Sequence, residues 1–150
     1  MTAVCLQAPA TLDAIYPRVS ALTSGSRMVG VVYDTAPSGA NETFCSSVMA
    51  KDPRRLVANG SITTLEGTDP AWLRLPMPQT LLKAGVYWIG AMFESTVTCY
   101  SDMAAGSPPI GPGSKDAYTF RPFASGPGEG PGMSWTRGSG AFAVYATTRP

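Results

Sequence analysis

The sequence contains no histidine. That removes Ser/His/Asp and Cys/His nucleophilic systems and every histidine-based metal site. Charge is scarce: 11 lysines and arginines against 10 acids leave a net charge of +1. No basic patch argues for nucleic acid, and no acidic tail argues for a solvating segment. Cysteine is limited to Cys5, Cys45 and Cys99. They are odd in number, far apart and without CxxC spacing. Small buried thiols in strands are therefore expected rather than a disulfide framework, with a single bridge left open. The same spacing speaks against a three-cysteine zinc site. The longest apolar run, Val86 to Phe93, is far short of the roughly 20 residues a membrane helix needs. Met1-Thr2-Ala3-Val4-Cys5 shows no basic region followed by an apolar run, so neither a leader nor membrane insertion is expected.

Other chemistry is missing too. No glycine-rich loop follows a strand and opens a helix, so Gly126-Pro127-Gly128 is not a nucleotide cradle. No D-x-D-x-D-G run offers calcium ligands. Glu94, Asp102 and Asp34 lie nearest the ends of expected strands, but no motif pairs them for glycoside hydrolysis, and solvated strand-end charges are the simpler reading. No cofactor and no enzymatic activity are expected. Asn41-Glu42-Thr43 and Asn59-Gly60-Ser61 fit a glycosylation pattern but read as turns.

What is abundant is glycine and proline, 16 and 14 residues. They cluster between apolar runs, as turns between short strands would. No segment has convincing helical periodicity, and no boundary divides the chain, so residues 1–150 are read as a single domain. Val86 to Phe93 is expected to be a central strand. One face is Val86, Trp88, Gly90 and Met92, the other Tyr87, Ile89, Ala91 and Phe93, and both are apolar, as a strand covered on both sides requires. Arg27 to Asp34 is a second such strand, with Val29, Val31 and Tyr33 opposed to Met28, Gly30 and Val32.

Further strands are expected at Val4–Gln7, Thr11–Leu22 (with an edge position or bulge at Pro17), Thr43–Met49, Ala71–Leu75, Thr96–Ser101, Asp116–Phe120 and Ala141–Thr147. Leu56 to Leu65 alternates around the hairpin signal Asn59-Gly60. Lys51 to Arg55 reads as a solvated turn, and Pro76 and Pro78 as connectors. The sum is an all-β fold of about eight to ten strands, an antiparallel two-sheet β-sandwich.

Several stretches also resemble a known pattern. Arg27-Met28-Val29-Gly30-Val31-Val32-Tyr33-Asp34, Trp72-Leu73-Arg74-Leu75, Leu82 with Gly85-Val86-Tyr87-Trp88-Ile89-Gly90, Phe123-Ala124-Ser125-Gly126-Pro127 and Phe142-Ala143-Val144-Tyr145-Ala146 follow in order. Together they are similar to β-sandwich, jelly-roll-like modules of tail and virion-surface proteins of bacteriophages infecting actinobacteria, and of bacterial adhesion proteins. The likeness runs from residue 12 to residue 147. It implies a non-enzymatic virion component, attached to other virion proteins, homo-oligomeric with a trimer favoured, and contacting a cell-surface glycan. Arg121-Pro122 and Met133-Ser134-Trp135 depart from the pattern.

Within that reading, binding falls to exposed aromatics, because a ring can stack on the apolar face of a sugar while polar neighbours take the hydroxyls. Trp135, beside the Gly/Pro loop from Phe123 to Gly132, is either such a group or an anchor for its loop. Tyr100, Tyr118 and Asp102 complete the candidate set. Trp88, Tyr87 and Trp72 are assigned to the core. A capsid decoration protein, a secreted carbohydrate-binding module and, more remotely, a glycosidase are the alternatives.

Overall fold

In the computed structural model the described residues are 1–21, 23–34, 52–66, 71–95, 97–99, 116–119, 122–128, 133–138 and 143–149. They form twelve strand segments: β1 (Thr2–Leu6), β2 (Ala10–Ala21), β3 (Arg27–Asp34), β4 (Arg55–Asn59), β5 (Thr63–Thr64), β6 (Ala71–Trp72), β7 (Leu75–Leu82), β8 (Gly85–Phe93), β9 (Thr98–Cys99), β10 (Asp116–Tyr118), β11 (Thr136–Gly138) and β12 (Val144–Arg149). All pairings are antiparallel. The larger sheet runs β11-β10-β1-β8-β3-β4, with β5 also on β3; the smaller is built around β2, which pairs with β12, β6, β7 and β9. This is the expected β-sandwich.

The expected central strand is β8, held between β1 and β3. Its two faces divide as the alternation requires. Ile89 points into a core formed with Met28, Val32, Ala58 and Leu65 from the larger-sheet side and Leu12, Ile15, Leu75, Met77 and Leu82 from the smaller. Val86 and Trp88 point the other way, into a second cluster with Ala3, Val29, Val31 and Tyr33. That second cluster lies on the outer face of the larger sheet. It is covered by Phe123 and Trp135, whose segments lie across it. The larger sheet is therefore the middle of three layers, which is why β3 and β8 are apolar on both sides.

Two apparent breaks in the sequence are interruptions of continuous courses. β4 and β5 both run along β3, opposite Val31–Asp34 and Arg27–Met28. Asn59-Gly60 is thus a jog, not the hairpin turn expected there. Gly60 N–H donates to Gly30 O at 2.9 Å, and a Cβ on Gly60 would sit 2.2 Å from Pro76 O of the opposite sheet. Only glycine permits that approach.

β6 and β7 likewise follow β2, opposite Arg18–Val19 and Ala10–Ile15. The gap between them, Leu73-Arg74, lies against Pro17. Leu73 N–H donates to Pro17 O at 3.0 Å, so the side of β2 where Pro17 lacks its own donor is where the partner strand breaks. Pro17 is buried at the middle of a strand flanked on both sides, not at an edge. β7 itself was read as connector because of Pro76 and Pro78. It pairs with β2 alone among the described strands, the kind of edge position where proline is tolerated. β11 was not anticipated. The expected strand at Thr43–Met49 lies outside the described residues.

Cys5 is disulfide-bonded, which corrects the expectation of free buried thiols. The bridge left open by the sequence is present.

Candidate binding surface

The four sequence candidates do not form one site among the described residues. Tyr100 and Asp102 lie outside them. Tyr118 belongs to β10, between β1 and β11. Trp135 sits just before β11, and its ring meets Tyr33 edge-on, 5.5 Å between centroids and 76° between planes. Of its two readings, these contacts match the anchor.

The whole described part of the Phe123–Trp135 stretch behaves as a strap. Phe123–Ser125 forms a single 3-10 turn, and Gly126 leaves it at φ +65°. That conformation suits glycine. The Tyr33 hydroxyl donates to Gly128 O at 2.6 Å in a buried bond. At the entrance, the Arg27 guanidinium stands 5.3 Å from the Phe123 ring centre and forms an ion pair with Glu94. Glu94 also accepts from Arg27 backbone N–H at 3.1 Å. The bond from the Arg27 side chain, then the one from its backbone, hold the Glu94 carboxyl below its ordinary range.

The acids near strand ends are thus engaged by cations rather than by each other. Asp34 is buried and is met by Arg55, whose Nε lies 2.9 Å from Asp34 Oδ2. Among the described residues, no group of three or more acids or cysteines is placed to hold a metal.

The exposed aromatics are elsewhere, on the outer face of the smaller sheet. β2 turns Ile15, Pro17 and Val19 inward, all fully buried, so Tyr16 and Arg18 project outward by alternation. Tyr16 is directly opposite Tyr145 of β12, and Arg18 is opposite Trp72 of β6. The Tyr16 and Tyr145 rings stack at 4.7 Å and 4°. Trp72 meets Tyr145 at 5.0 Å and 62°, and the Arg18 guanidinium lies 5.8 Å from the indole centre. Trp72 is 46% exposed and Tyr145 44%. The assignment of Trp72 to the core is therefore wrong. The signal for its exposure was its shared face with Arg74, opposite Leu73 and Leu75. Further along the sheet, Asp13 receives Arg149 at 2.7 Å and Arg74 at 3.6 Å.

Comparisons with protein-family models, curated proteins and solved structures returned no match. The chemistry of these surfaces is what remains to argue from. No helix among the described residues is long and apolar enough to cross a membrane.

Proposed function

We propose that this chain is a non-enzymatic structural module on the exterior of a phage particle, in the tail or on the surface, that contacts a host cell-surface glycan. The observation that carries the reading beyond sequence resemblance is the disulfide at Cys5. Disulfides persist on virion and cell surfaces and in secreted proteins, and are rare in reducing cytosol. A β-sandwich with an aromatic outer face suits a role in display and attachment. Its partners in this reading are other virion proteins, with further copies of itself in a trimer.

A capsid decoration protein is the second reading. It is favoured by Leu81 and Ile62, which stand 67% and 58% exposed and would be covered in a lattice of neighbours. Mass spectrometry of purified particles, with localisation by gold-labelled antibody, tests both. Detection at tail or capsid surface is the expected result and separates the two. Absence of the chain from washed particles would overturn the virion role and leave a secreted carbohydrate-binding module.

A further inference from the structure

The outer face of the smaller sheet carries Tyr16, Arg18, Trp72 and Tyr145 as one group. We infer that this group is a docking platform for an anionic polysaccharide, with Trp72 and Tyr145 receiving sugar rings and arginines receiving the acidic substituents. The inference refines the glycan contact of the proposed function by naming its surface and ligand charge.

Composition supports it first. Trp, Tyr and Arg are costly to leave exposed together without a use, and contiguous apolar patches rimmed by polar groups mark interaction sites. The rings are also held in place before any ligand arrives. Tyr16 and Tyr145 are a cross-strand stacked pair, and Trp72 is fixed against Tyr145 on one side and Arg18 on the other. Little side-chain freedom is lost on binding, which favours affinity from a small contact.

Area and charge then select the occupant. A large aromatic side chain offers about 150–250 Å². At their observed exposure, Trp72 and Tyr145 together present on the order of 200 Å² of ring and edge. A stable protein interface needs about 800 Å² from each partner, so a second copy of this chain is poorly served by this group. A narrow ligand that repeats along the sheet is better served. From Asp13 to Arg18 the strand covers roughly 17 Å at about 3.3 Å per residue, and the polar groups are distributed along that length rather than around a pocket. Arg18, Arg74 and Arg149 share this sheet with a single described carboxylate close to them, Asp13. The surplus is positive, although the whole chain carries only +1. Planar guanidinium groups present paired donors that match carboxylate and phosphate oxygens. A neutral glycan would use the rings and leave the arginines without purpose; an acidic one uses both.

The test titrates the full chain with polygalacturonate, hyaluronate and wall teichoic acid as anionic probes and with cellohexaose as the neutral one, following tryptophan fluorescence and heat. At least one anionic probe should bind. Its affinity should fall by about tenfold or more in Trp72→Ala and in Tyr145→Ala, fall in Arg18→Ala, and weaken as salt is raised. Trp72→Phe should keep part of the binding, and thermal melts should confirm that the variants fold.

The proposal is overturned if none of the anionic probes binds, if cellohexaose binds as well as they do, or if binding survives loss of both rings. Sedimentation showing a dimer that Trp72→Ala dissolves would give this face to a second copy instead. Particle composition is measured separately, so failure of the platform and failure of the virion reading are distinguishable.

Discussion

Trp88 shows how much rests on one side chain. It is fully buried, 0% exposed, beneath the strap rather than between the sheets. Trp88→Ala should cost about 3–5 kcal/mol, the usual range for removing a core aromatic, and denaturant unfolding measures it. Glu94 makes a pH-dependent contribution of known sign. Its folded-state carboxyl is held low by Arg27, so the charged form favours the folded state. The stabilisation is present above the ordinary carboxylate value and is lost as pH falls through the lowered one. Glu94→Gln should therefore melt below wild type at neutral pH, with the gap closing in acid; a pH series of melting curves reads this directly. Thr147 Oγ1 is the buried side-chain oxygen without a hydrogen-bond partner among the described residues. Thr147→Val keeps the shape and removes that unsatisfied group, so it should raise stability by about 1 kcal/mol, seen as a higher melting temperature.

At the scale of elements, the strap is the part that most changes the meaning of the sequence. Tyr33→Phe deletes the bond to Gly128 and leaves a buried carbonyl unpaired, at a cost of about 1–3 kcal/mol. Hydrogen exchange should then speed up in 122–128 more than in β3, because the strap loses a tether while the sheet keeps its ladder. The strands themselves were legible where alternation was clean. β3 has the expected bounds, and β8 has the expected faces, because a buried central strand writes its burial into every residue. Legibility failed where backbone chemistry overrode side-chain pattern. Pro76 and Pro78 concealed β7, since proline argues against a strand unless its edge position is already known. Asn59-Gly60 mimicked a hairpin because a glycine required for close approach looks the same in sequence as one required for a turn. The candidate surface was half legible. Tyr16 and Arg18 shared a polar face of β2 by simple counting, but Trp72 and Tyr145 join them only through strand pairing across 55 to 130 residues of chain.

For the molecule as a whole, the disulfide is the constraint that sequence left open. The chain has three cysteines, and Cys5 is bridged. If its partner is within the chain, the unfolded, unreduced protein should show one free thiol by thiol titration, and reduction should lower stability by about 2–5 kcal/mol. A count of two free thiols per chain would mean that the bridge links Cys5 to a different molecule.

The pairing of β12 with β2 has a consequence for how the protein is made. β2 emerges early from the ribosome, while the strand that completes one of its edges spans Val144–Arg149. Through most of synthesis that edge has no β12 to pair with, and bare edges invite other chains. The strap that seals Trp88 arrives late as well, from residues 122–138. Folding is thus bound to the end of translation, slow by its long-range pairing, and a ribosome stalled a few residues early would release a chain prepared to aggregate rather than assemble.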